Sequence, residues 1–167
     1  MHCEWQDKIF SVTSQDFQSL ALEIFQYQVQ HNAVYRAFVT AVKVNPSGVN
    51  SLEKIPFLPI GFFKTHRVTT GDFTPSLVFE SSGTTGMNRS RHFVNDAGLY
   101  QTSFIRAFEK YYGSVNEWCI IGLLPSYLER KTSSLVFMVN ELIRQSGHPQ
   151  SGFYLNNLEK LYNVLSE

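Results

Sequence analysis

"SLVFESSGTTGMNRSRHFVND", residues 76–96, decides how the chain is read. An apolar run, Leu77-Val78-Phe79, gives way to six small residues, Ser81-Ser82-Gly83-Thr84-Thr85-Gly86, and two arginines follow at Arg89 and Arg91. Residues this small bury almost nothing, so six in a row make either a solvated linker or a backbone that must approach something closely. At an average usage of roughly 5–7% per residue type, this order arises by chance in about one chain of this length in 10⁵. The run follows a strand predicted over 77–80 and precedes a predicted helix. That puts it at the carboxyl end of a sheet, where open α/β folds hold their ligands. Glycines let several N–H groups point into one concavity, hydroxyls add donors without bulk, and arginines supply charge for phosphate oxygens. The spacing is not that of Walker A, because Gly83 and Gly86 are three apart with no lysine after them; G-x-G-x-x-G is absent too.

Upstream of this stretch the pattern is helical. In "SQDFQSLALEIFQYQVQHN", Phe17, Leu20, Ala21, Ile24 and Phe25 recur at helical spacing, with Ser14 as the expected N-cap. A second helix is expected from Ala33 to about Lys43, ended by "NPSG", so residues 14–45 read as a helical pair. Pro56 and Pro59 keep "IPFLPIGFFKTHRV" out of helix interiors and central strands, which predicts an extended aromatic segment.

Downstream, strand and helix alternate. Tyr100, Phe104, Ala107, Phe108 and Tyr111 share one helical face in "NDAGLYQTSFIRAFEKYYG", with Asn95 or Asp96 as cap and Gly113 at the end. "EWCIIGLLP" reads as a strand buried on both faces, "TSSLVFMVNELIRQSG" as a capped helix, "GFYL" as a strand and "NNLEKLYNVL" as a last helix. The fold expected is α/β: β-α-β units over 76–167 forming a largely parallel sheet flanked by helices, preceded by the helical segment, all in a single domain over 1–167.

Fourteen Lys and Arg balance fourteen Asp and Glu, so a broad electrostatic footprint for nucleic acid is not expected. The start "MHCEWQDKIF" lacks the basic and apolar regions of a signal peptide, and no apolar run approaches the roughly 20 residues of a membrane span. The expectation is a cytoplasmic protein. Two cysteines make no disulfide framework and no zinc motif: Cys119 reads as core, and Cys3 lies in a stretch expected to fray.

The order Ser-Ser-Gly-Thr-Thr-Gly followed by basic residues resembles the phosphate loop of the adenylate-forming superfamily of acyl-CoA synthetases, luciferases and phenylacetate-CoA ligases. Within it, the chain is most similar to the acyl-protein synthetases of the bacterial bioluminescence fatty-acid reductase system. "IPFLPIGFFKTHRV", "NRSRHFVNDAGLY" and "LPSYLERKTSSLVFMVNELI" carry the likeness beyond the loop, over most of residues 15–167. The resemblance implies an ATP- and Mg²⁺-dependent ligase. A carboxylate, a fatty acid by this likeness, attacks the α-phosphorus of ATP to give an acyl-adenylate and pyrophosphate. The acyl group then passes to a thiol, a protein cysteine or coenzyme A. By the same analogy Ser81, Ser82, Thr84 and Thr85 donate to phosphate, Gly83 and Gly86 allow close approach, and Arg89 or Arg91 neutralises charge where many relatives carry lysine. The family's acidic ribose contact, its lysine and its acyl-carrying cysteine lie downstream of the loop and have no match here. The expectation is therefore the N-terminal, ATP-binding part of a longer enzyme, inactive alone.

"TGD" at 70–72 precedes the loop and reads as a turn. His92 is a candidate for a phosphate or acyl contact or a plain surface histidine, and His66 for a neighbour of the site or a loop histidine. Glu80 and Asp96 fit capping or Mg²⁺-proximal roles equally, and no residue is named as a metal ligand. Tyr127, Glu129 and Arg130 follow a strand end, where ligand contacts form, and Glu129 and Arg130 read equally as solvated side chains. The alternatives are a non-catalytic half-enzyme acting as an interaction module, its aromatic segments being partner surface, and a fragment of a CoA-type ligase. Self-association through an exposed sheet edge is a further expectation.

Overall fold

In the computed structural model, which describes residues 2–81, 89–125 and 130–166, the chain opens with three helices. These are α1 (His2–Ser11), α2 (Phe17–His31) and α3 (Ala33–Ala41). The expected helical pair is present as α2 and α3. Asn32 separates them with an extended backbone (φ −111°, ψ 103°), and its Oδ1 accepts from the Tyr35 N–H at 3.0 Å. Side chain and backbone thus cap α3 at the residue that ends α2. The start of α2 differs from expectation: Ser14 lies in the preceding turn and Asp16 takes the cap position, its carboxylate accepting from the Thr13 hydroxyl. The N-terminal stretch forms α1, with Trp5 against Tyr27 (ring centroids 5.1 Å) and Lys8 bonded to Glu23 at 2.8 Å.

α3 closes without the glycine usual at this point. Lys43 adopts a left-handed conformation (φ 57°), its N–H donating to Thr40 while Val44 N–H donates to Val39. This pair of bonds is the Schellman closure, and the Val44 side chain joins the core behind it. After it come 3₁₀ turns at Pro46–Gly48 and Leu52–Lys54, then α4 (Phe62–Thr65). Residues 56–59, between the prolines, are in neither helix nor strand, but where an extended segment was expected residues 62–65 coil into one helical turn.

The described chain divides into two compact units: Met1–Ser76 with Gly83–Asn95, and Leu77–Ser82 with Asp96–Glu167. In the first, Phe25, Tyr35, Val39 and Val49 form the core, joined by Leu22, Val29, Phe38 and Leu58. The face of α2 turned inward is therefore Leu22–Phe25–Val29; Phe17, placed on the buried stripe by spacing, is 54% exposed. Tyr35 stays buried because its hydroxyl donates to the Pro56 carbonyl at 2.7 Å, and burial raises its pKa.

The second unit contains β1 (Leu77–Glu80), and the first contains β2 (Arg91–Val94). α5 (Ala97–Tyr112), β3 (Ile121–Gly122), α6 (Ser134–Ser146), β4 (Gly152–Phe153) and α7 (Leu158–Ser166) complete the second unit. Asp96 caps α5 by accepting from Gly98 N–H at 2.8 Å, and Ser133 caps α6. Gly147 ends α6 in the left-handed conformation. The β3-α6-β4 path is a β-α-β unit, with β3 parallel to β4 in the register Ile121↔Gly152 and Gly122↔Phe153.

The described strands occur only in two-stranded sheets flanked by helices, and no large parallel sheet is formed among them. "EWCIIGLLP" shrinks to two strand residues, with Trp118 and Leu123 exposed and Cys119 only half-buried. Its one buried residue is Gly122, where a Cβ would lie 2.9 Å from Phe153 Cδ1 and 3.1 Å from Val139 Cγ1. A side chain at 122 would require the Phe153 ring or the Val139 side chain to shift. On α5 the inward face is Tyr100–Phe104–Ile105–Phe108, whereas Ala107 and Tyr111 face solvent.

Candidate functional site

The small-residue run begins where β1 ends. Phe79 of β1 is buried against Tyr100 and Phe137 (centroids 5.2 and 5.7 Å), so packing holds the strand that launches the run. Ser81 is exposed immediately after it. Ser82, Gly83, Thr84, Thr85 and Gly86 lie outside the described residues, as do Tyr127 and Glu129. On the far side Arg89 is exposed, and the chain enters β2 at Arg91. Here the structure corrects the expectation of a strand-loop-helix: the next described element is a strand, and α5 begins only at Ala97. "RHFV" has one β-branched residue and two charged or titratable ones, so its strand character was hidden in a stretch read as an approach to the helix.

Within the second unit, Glu80 N–H donates to the Thr132 carbonyl at 2.8 Å. That bond puts the start of the run beside the segment that continues "LPSYLERK". Arg130, a candidate ligand contact or a solvated side chain, is exposed, and its carbonyl accepts from Ser133 N–H at 3.2 Å. Asp96 acts as a helix cap, so of its two expected roles the structural one is seen.

Within the first unit, α4, the residues just after it and β2 bring together side chains from stretches that the sequence leaves more than 20 positions apart. His92 lies edge-on to Phe63 at 6.2 Å between centroids. As a whole residue His92 is exposed, yet the ring has lost water on its packed side, and this desolvation holds its pKa below the ordinary histidine value. The Arg67 guanidinium sits 4.6 Å from the centroid of Phe93, and that of Arg91 sits 6.0 Å from the same centroid. Arg67 also donates to the Phe73 carbonyl at 3.1 Å. His66 is turned elsewhere, stacked on Phe62 at 5.0 Å with Nδ1 at 2.8 Å from the Thr65 hydroxyl.

Arg67 and Phe93 were missed in the sequence because nothing in "FKTHRV" separates Arg67 from its neighbours until α4 packs on β2. Thr70-Gly71-Asp72 is a bend, as expected, docked on α2 by Gly71 N–H to His31 O (2.8 Å) and Thr70 Oγ1 to Gln28 Oε1 (2.7 Å). Another polar group the sequence did not reveal is Ser146, buried and 2.7 Å from the Ser151 hydroxyl. Ser151 in turn accepts from Ile120 N–H at 2.9 Å, so the pair ties α6 to the β3 entry and is structural.

Among the described residues no group of three His, Cys, Asp or Glu is arranged to hold a metal ion. Nor, among them, is any helix long and apolar enough to cross a membrane. The guanidiniums of Arg67 and Arg91 fit phosphate oxygens in charge and in donor number. No family model, no curated protein and no solved structure matches the chain.

Proposed function

We propose that the chain is the N-terminal ATP-binding part of an adenylate-forming acyl ligase of the acyl-protein synthetase kind. The observation that carries the reading is the ordered run Ser81–Gly86 with Arg89 and Arg91 close behind it. Its support in the fold is the buried Phe79 anchor before the run and the Glu80–Thr132 bond beside the "LPSYLERK" block.

In this reading the hydroxyls and amides of residues 81–86 hold the polyphosphate, and arginine offsets charge that builds as pyrophosphate leaves. Mg²⁺ bound with the nucleotide supplies further charge neutralisation. Such catalysis is mostly positioning and electrostatic stabilisation, which small residues on a packed strand are suited to provide. The acyl acceptor is a thiol, of a protein or of coenzyme A.

The test is ATP–pyrophosphate exchange by the protein expressed from its complete reading frame, across carboxylic acids of short to long chain. Exchange with at least one acid is expected. Replacing Thr84 and Thr85 by valine should raise the KM for ATP about tenfold or more, the loss of charge-assisted donors. Silence across the panel, or unchanged kinetics in the double valine variant, overturns the reading.

A second reading, a non-catalytic interaction module, is favoured by the exposure of Phe57 and Ile60, each 79%. It predicts a stable complex with a protein partner that Phe57→Ser and Ile60→Ser abolish, with no exchange activity at all.

A further inference from the structure

We infer that Arg67 and Arg91, gathered over the Phe93 ring, form a seat for a phosphate group, making Arg67 a ligand-binding residue. The natural ligand, a nucleotide's phosphate tail, rests on the ligase reading; the seat itself does not. The two guanidiniums reach one ring from separate parts of the chain, Arg67 just after α4 and Arg91 at the start of β2. Their convergence is therefore made by tertiary packing within one unit.

A guanidinium lying over a ring still turns its N–H edge outward, and each has five N–H donors. Arg67 uses a donor on the Phe73 carbonyl, which fixes its plane and leaves others available. Neither arginine takes part in the ion pairs seen at Lys8–Glu23 and Arg144–Glu141. Like charges collected on one ring repel, and surfaces normally relieve this with a carboxylate between them. The flanking stretches "KTHR" over 64–67 and "RSRH" over 89–92 contain no acidic residue, and Asp72, next to the Phe73 whose carbonyl Arg67 binds, is the one acid in the segments that the two arginines touch. An arriving anion adds negative charge against two guanidiniums that share one ring. Phosphate suits the seat better than carboxylate, because it carries more charge and can accept from two planar forks at once.

The test is calorimetric titration of the chain with sodium tripolyphosphate, and separately with ATP and with octanoate, at fixed ionic strength. Variants Arg67→Met and Arg91→Met keep an alkyl stem over Phe93 but remove the donors, and Arg106→Met, on α5, is the charge-matched control. We expect each seat variant to weaken tripolyphosphate binding about tenfold, the scale of a charge-assisted bond, and the control to leave it unchanged. If Arg67→Met lowers the thermal midpoint, Arg67→Lys gives the same comparison with the charge kept and the fork lost, and intermediate affinity is expected.

Tripolyphosphate that does not bind, binding unaltered in Arg67→Met with Arg67→Lys equal to it, or octanoate bound more tightly than tripolyphosphate overturns the proposal. Tripolyphosphate tighter than ATP, with both weakened by Arg67→Met, marks a seat for free polyphosphate. ATP at least as tight marks the nucleotide. Loss of exchange activity across all acids while Arg67→Met still weakens tripolyphosphate removes the ligase reading and leaves the seat standing.

Discussion

The first unit gathers Phe25, Tyr35, Val39 and Val49 from α2, α3 and the turn after them, about 25 residues of continuous chain. The second unit draws Phe79 from β1, Tyr100 and Phe104 from α5 and Phe137 from α6, in edge-to-face and tilted pairs at 5.2 to 6.4 Å. One core is made by neighbours in sequence, mixed aliphatic and aromatic. The other joins these rings to the aliphatic side chains Val115 and Leu142, and its members meet only after the chain has folded back on itself. Local contacts form at little loop-closure cost, whereas distant ones repay that cost only when several rings meet together. Aromatic pairs also add to plain area burial through their edge-to-face electrostatics.

The sharpest way to break this contrast is Phe104→Ala. Removing the ring that touches both Tyr100 and Phe137 should cost about 3–5 kcal/mol. Hydrogen exchange should locate the loss in α5 and α6 while α2 and α3 keep their protection. Equal loss of protection in both sets would show that the two cores do not respond separately. The counterpart is Val39→Ala, at the most buried residue of the first unit, 1% exposed. Two methyl-sized groups at ~0.8 kcal/mol each plus a partly collapsed cavity give roughly 2 kcal/mol, read by denaturant unfolding.

The smallest effect concerns His92, whose pKa is lowered in the folded chain by desolvation. The unfolded chain therefore binds its proton at a higher pH than the folded chain does. The stability linked to this residue is complete above about pH 6.5, the unfolded value, and is lost as pH falls through the lowered folded value. His92→Gln should flatten that dependence in the thermal midpoint between neutral and acidic pH. An unchanged slope in the variant would mean that another group carries it.

Residues 77–80 were readable as a strand because an apolar triplet there is bounded by turn-forming residues on both sides. α5 was readable from helical spacing with its Asp cap and closing glycine, and α3, α6 and α7 from runs of helix-compatible residues bounded by turn or capping residues. The inward face of α2 was not. Its apolar residues surround much of the helix, so spacing alone admitted Phe17 to the stripe, and only the position of α3 selects Leu22, Phe25 and Val29. β2 was missed for a different reason: "RHFV" has no alternation strong enough to outweigh the helix that follows. The phosphate-loop candidates were readable as a pattern of residue types. Arg67 was not, because its role depends on a ring 26 positions away.

By itself the sequence determined the local elements, their caps and the unusual run at 81–86, since propensity, capping and glycine freedom act over a few bonds. Tertiary structure alone decided which side chains of each helix face inward, that Phe153 and Val139 crowd position 122, and that two arginines share one phenyl ring. Those outcomes depend on distances between atoms far apart along the chain, and such distances exist only once packing has chosen among the arrangements that local preferences leave equally open.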